Sequence, residues 1–232
     1  MFKKTPVAAG IAAFAIILFA GGCAVADAGK TDKMDKVDYT AMTPQELAEY
    51  LIFEANGFVL DQEVQEGGTT MQRMVQDDLH KACSVIGGGD PDQATLDAVR
   101  TAAAESITYP EGGIQLGDWK KGREIAWSGF GYRVGHRTDD HSKREVGGNC
   151  YNCHQLATDR TGGNVGPSLT GYGKTRGTSD AILKYAYDMI YNPHVYFPCT
   201  NMPRFGASGF LTQEAIADIL AYMFDPESPV NE

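Results

Sequence analysis

Several things are missing from these 232 residues, and each absence narrows what the chain can be. No sustained strand alternation and no internal repeat is present, so a β-sandwich, barrel or solenoid has no sequence basis. Positive charge is in deficit. The formal charge is −10 at pH 7, which argues against nucleic-acid binding. If charge steers docking at all, it favours a basic protein partner, although plain solubility is the commoner reason for such a balance. A membrane-spanning run is lacking near the start: Val7 to Ala20 is apolar but falls short of the roughly 20 residues that cross a bilayer. Cysteine is scarce, at five residues. A CxxC occurs at Cys150 and Cys153 with no second one to complete a four-ligand zinc site, and no βαβ pattern stands nearby to make it a thioredoxin-like redox pair.

What remains around that pair is specific. Cys150-Tyr151-Asn152-Cys153-His154 is the attachment pattern for a c-type haem. The two thiols can add across the haem vinyl groups, and the adjacent His is then delivered to one axial face of the iron.

An export signal agrees with that chemistry. Lys3 and Lys4 precede the apolar run, and small residues follow from Gly21 to Ala26. Two processing routes compete. Ala24-Val25-Ala26 fits the small-x-small rule for cleavage after residue 26, whereas Ala20-Gly21-Gly22-Cys23 resembles a bacterial lipobox, without its usual Leu, and would place a lipid on Cys23. The expected location is periplasmic, with or without a lipid anchor. The remaining cysteines, Cys83 and Cys199, are an even pair in an oxidising compartment, and a disulfide is their simplest assignment.

The chain divides into a signal (1–26), a polar linker (27–40), a helical N-terminal extension (41–114) and a cytochrome c domain (115–232). Thr43-Pro44-Gln45-Glu46 reads as a capping box that opens a helix running to about Gly57. Met71, Met74, Val75, Leu79 and Cys83 predict one helix from Thr70 to about Val85, ended by Gly87-Gly88-Gly89. A third helix is expected over about 92–105, with a boundary at Pro110 and Gly112-Gly113. Further helices are expected over about 117–128, 179–191 and 213–224, the last capped by Thr212, with Gly-rich loops on either side of the haem motif. The fold class is therefore all-α.

His154 is the expected proximal ligand. Gly166-Pro167-Ser168-Leu169-Thr170-Gly171 resembles the class I cytochrome c loop, and the resemblance implies that the Pro167 carbonyl takes the His154 N–H and that Leu169 packs on the haem. Met202, in Asn201-Met202-Pro203 after one helix and before the last, is the best-placed sixth ligand, and its soft thioether would raise the iron's potential. His194 is its rival in the same loop. Met189 and Met223 read as core, and His80, His136 and His141 as surface residues. An iron closed by His and Met leaves no position for substrate, which favours electron transfer and no catalytic residue.

The motif order is more particular still. Gly117-Asp118-Trp119-Lys120, Gly148-Asn149-Cys150, Asn164-Val165-Gly166-Pro167, Asn201-Met202-Pro203-Arg204-Phe205-Gly206, Leu211-Thr212 and Asp225-Pro226-Glu227-Ser228-Pro229-Val230-Asn231 together resemble the SoxX family, the monohaem cytochrome subunit of bacterial SoxAX complexes. That resemblance implies one covalent haem c, a heterodimer with a SoxA-type cytochrome subunit, and transient contact with a carrier protein and a soluble cytochrome c. It also implies a role as the electron exit of a thiosulfotransferase that conjugates thiosulfate to a carrier cysteine. A free-standing electron carrier, or a subunit of another oxidoreductase, is the alternative.

Overall fold

Capping chemistry sets where the helices begin. A computed structural model describes residues 37–64, 68–84, 90–131 and 144–232. Cys23, Gly87-Gly88-Gly89, His136 and His141 lie outside those residues. Among the described residues the regular structure is helical, with one isolated bridge between Glu63 and Thr69. Helix α1 (Pro44–Glu49) starts at the Thr43 capping box, in which Thr43 accepts from the Glu46 amide and Glu46 accepts from the Thr43 amide. It continues as a π-turn over Tyr50–Glu54. Side-chain oxygens of Thr69, Asp77 and Asp92 then cap α2 (Thr70–Met74), α3 (Asp78–Cys83) and α4 (Gln93–Ser106). Asp118 and Thr212 do the same for α5 (Trp119–Trp127) and α8 (Gln213–Phe224). Between these two lie α6 (Tyr172–Arg176) and α7 (Asp180–Tyr191).

One expected helix is two. The stretch 70–85 breaks at Val75, because Asp77 accepts the His80 amide at 2.8 Å and starts a new helix. Apolar spacing alone predicts a single helix, and a side-chain cap inside the stretch overrides it. Helix α6 lies at the end of the Gly-rich loop, where the sequence pattern predicts none.

Helices α5 and α8 cross at the centre. Gly122 sits against the Asp218–Ile219 backbone, where a Cβ would run into the Asp218 carbonyl, so only glycine lets the two helices approach this closely. Buried Asp218 closes the same contact by accepting the Asp118 amide at 2.7 Å. Ile125 of α5, Tyr187 and Ile190 of α7, and Ile216, Leu220 and Phe224 of α8 form the main core. Each side chain so buried contributes about 1.5–3 kcal/mol relative to exposure. A smaller cluster of Ala126, Tyr151, Leu156, Ala157, Tyr222 and Val230 lies under the haem motif, and Leu169 packs on both clusters.

Residues 41–232 form one compact unit. The segment after α4 is stitched to α7: Tyr187 donates to the Thr108 carbonyl at 2.8 Å, and Asn192 donates to Ser106 at 2.9 Å. Asp188, a carboxylate on an otherwise apolar helix face and 1% exposed, accepts from Tyr109, Tyr196 and Lys184. Three donors offset the desolvation of that charge. The Asp188 hydrogen bond holds the Lys184 ammonium well above the ordinary lysine range.

Candidate haem site

The Gly-rich loop is laced onto the attachment motif by backbone hydrogen bonds. Gly163 donates to the Tyr151 carbonyl (2.8 Å), Gly166 to Cys153 (2.8 Å) and Leu169 to Gln155 (2.7 Å). Thr170 Oγ1 adds a bond to the Leu156 carbonyl at 2.7 Å. The motif itself turns as a 3-10 helix over Cys150–Asn152, entered through Asn149 at φ 49° and closed by the His154 amide donating to the Cys150 carbonyl at 2.9 Å. Tyr151, between the two cysteines, anchors this turn from below, its hydroxyl 2.7 Å from that of Tyr222.

This lacing aims the imidazole. His154 Nδ1 lies 2.7 Å from the Pro167 carbonyl oxygen. A carbonyl can only accept, so Nδ1 carries the proton and Nε2 is left with its lone pair for a metal. Gly166 lies flat under the ring: a Cβ there would come within 2.6 Å of Nδ1 and 2.8 Å of Nε2.

The residues present fit a covalent haem. Cys150 and Cys153 are free thiols, while Cys83 and Cys199 are joined as a disulfide with Cα atoms 5.1 Å apart. Burial pushes the Cys150 thiol up to about 12. Among the described residues no group of three or more His, Cys, Asp or Glu side chains could hold a metal ion. The site thus offers two thiols, one oriented imidazole and an apolar floor that includes Leu169.

Met202 lies at the fringe of the main core, half-buried among residues that pack on it, together with Leu169 and Phe205. His194 is 6% exposed and its Nδ1 accepts the Cys199 amide at 2.9 Å. With Nδ1 acting as acceptor, Nε2 is the protonated nitrogen and has no lone pair for iron. That bond also holds Cys199 in its left-handed turn, at φ 60°. Met223 is buried core, and His80 is exposed but touches Arg204. Arg204 and Gly166 are the site residues whose roles sequence reasoning missed. A Gly before the Pro of the loop and an Arg two residues after the Met were the available signals.

His194 makes the fold pH-dependent. Burial first, then the nearby Arg204 and His80, lower its pKa below 6.5, against a smaller opposing pull from Asp77. The unfolded chain therefore takes up this proton more readily, and this group's contribution to stability is fully present above pH 6.5 and is lost as pH falls through its lowered folded value. The Tm of the wild type is expected to decline through that window more steeply than that of His194→Gln. Parallel Tm profiles would refute this.

The comparisons with known proteins agree with the site. The family model for cytochrome c matches residues 143–225. A protein of Aquifex aeolicus (strain VF5), described as an uncharacterized lipoprotein, is 42% identical over 164 residues, covering 68% of this chain and 73% of its own. Among the described residues no helix is long and apolar enough to cross a membrane. With the attachment motif, the aimed imidazole and the helical architecture in place, the chain carries a cytochrome c domain, the kind of domain that holds haem c covalently and transfers electrons.

Proposed function

We propose that this chain is an exported monohaem cytochrome whose iron is closed by His154 and Met202, and that it accepts electrons from a thiosulfate-oxidising partner. The observation that carries the reading is the bond between His154 Nδ1 and the Pro167 carbonyl, which fixes the tautomer and raises the basicity of Nε2. Bound haem supplies the one-electron chemistry. Cys150 and Cys153 would hold it covalently, Pro167 and Gly166 orient the His154 imidazole for it, and Leu169 would cover it. Met202 as sixth ligand leaves substrate no coordination position, which suits relay rather than bond formation.

The ordered motifs from Gly117 to Asn231 support the narrower reading of an electron-accepting subunit paired with a SoxA-type cytochrome. On that reading electrons released when thiosulfate is joined to a carrier cysteine leave through this chain to a soluble cytochrome. The match to cytochrome c at large is equally consistent with a second reading, a free-standing periplasmic carrier or a cytochrome subunit of another oxidoreductase. A lipid on Cys23 is supported by the lipobox-like Ala20-Gly21-Gly22-Cys23 and by the lipoprotein relative.

Two measurements test these readings. Met202→Ala is expected to abolish the weak long-wavelength charge-transfer band of Met-ligated ferric haem and to lower the reduction potential; retention of both would refute the ligand. The purified chain is expected to exchange electrons with small cytochromes but to conjugate no thiosulfate until a SoxA-type subunit is added. Conjugation by the chain alone would overturn the subunit role.

A further inference from the structure

Helix α3 belongs to the N-terminal part of the chain, outside residues 143–225, yet it grips the Met202 loop at two points. Three residues before Met202, Cys199 is bonded to Cys83 at the end of α3. Two residues after Met202, the Arg204 guanidinium donates to Asp77 Oδ2 at 2.8 Å, at the start of α3, and lies 3.1 Å from the His80 ring. The two anchors come from opposite ends of one six-residue helix, so the loop is held across its width rather than at one hinge. Arg204 is 17% exposed although its partner is half exposed, so the pair is shielded on the loop side. Burial pushes the Asp77 carboxyl up, but the His80 amide and Arg204 outweigh it and leave it below the usual range. Asp77 therefore stays ionised toward Arg204 at neutral pH.

Between the anchors the loop is held by the packing of Met202 on the main core and by the Thr200 amide donating to the Phe197 carbonyl at 3.1 Å. The Met202 amide has a long 3.4 Å contact with Thr200 Oγ1, and Phe205 leads into the turn in which Gly206 and Ala207 donate to the Tyr191 carbonyl. A thioether is a weak axial ligand, and whether it stays bound depends on how often its loop moves away.

We propose that α3 is a clamp on the sixth-ligand loop, with Asp77 and Arg204 as positioning residues that keep Met202 in place. The inference rests on the reading of Met202 as ligand. It gives the N-terminal segment a defined role. The segment sets the fraction of time the sixth position is closed, and hence the potential and the access of outside ligands.

Imidazole binding to the ferric holoprotein reads that fraction directly, because an external ligand binds only the Met-off form and its apparent affinity scales with that form's population. Arg204→Ala and Asp77→Asn are each expected to tighten imidazole binding, and Cys83→Ser/Cys199→Ser to tighten it by about ten-fold or more. The potential should fall in parallel, and Arg204→Lys should recover part of the loss. Arg100→Ala, which removes an exposed pair with Asp97 on α4, is the control and should leave both unchanged. If Met202→Ala does not itself open the site to imidazole, the ligand reading fails. If it does, while Arg204→Ala and Asp77→Asn leave imidazole affinity and potential at wild-type values, the clamp is refuted. Arg204→Ala breaks no covalent bond, so the test survives even if the double serine variant does not fold.

Discussion

Gly166→Ala is expected to disrupt the proximal side of the site. The added Cβ would meet the His154 ring at Nδ1 and Nε2 within 2.6 and 2.8 Å, and at Cε1 closer still. The ring cannot simply swing away, because Nδ1 is tied to the Pro167 carbonyl at 2.7 Å and Gly166 is itself tied to the Cys153 carbonyl. Either the ring tilts and loses its acceptor, or the 162–170 loop lifts off the motif and breaks the lacing. Overpacking of this kind costs about 1–3 kcal/mol. The loss should appear as a lower Tm and as a changed iron environment in the haem spectrum, because the group that tunes His154 is displaced. Pro167→Ala keeps the carbonyl and adds no atom against the ring, so it should disturb the spectrum far less. Equal spectra for wild type and Gly166→Ala would show that the ring does not rest on Gly166 in the holoprotein.

Why some of this was legible in the sequence and some was not follows from the range of each interaction. Cys150, Cys153 and His154 are contiguous, so their chemistry is written in five residues. The Thr43 and Thr212 caps are four-residue signals, and the helices they start were readable for that reason. Asp77 is also a local cap, but it lies inside an apolar-spaced stretch, and periodicity outvoted it. The Pro167 acceptor came from resemblance, since nothing local ties residue 167 to residue 154. Arg204 meets Asp77 across 127 positions, and Tyr109 reaches Asp188 across 79. Partnerships over such distances leave no periodic or spacing trace in one sequence. Their faint mark is a polar residue where an apolar one is expected, as with Asp188 beside Tyr187 and Ile190.

The disulfide is such a long-range partnership made covalent, and its removal is expected to have the largest effect on stability. Cys83 and Cys199 are 116 positions apart and belong to the N-terminal extension and the Met202 loop. Closing a loop of that size removes enough freedom from the unfolded chain to be worth about 4–5 kcal/mol in the chain-entropy account. Native-state effects point the same way. Without the bond, Cys199 keeps its left-handed backbone, held only by the His194 acceptor, and α3 keeps only the Arg204 contact to the loop. Both cysteines must be replaced together, because a single survivor would be a third free thiol competing with Cys150 and Cys153 during haem attachment. For a domain of this size the double variant should lose roughly 8–20 °C in Tm, since each 1 kcal/mol moves the midpoint by about 2–4 °C. The loss should shrink when Cys199 is replaced by Gly instead of Ser, because glycine occupies the left-handed region without penalty. A Tm within about 2 °C of wild type for Cys83→Ser/Cys199→Ser would mean that the bonds from Tyr187 and Asn192 to Thr108 and Ser106 already hold the two segments together.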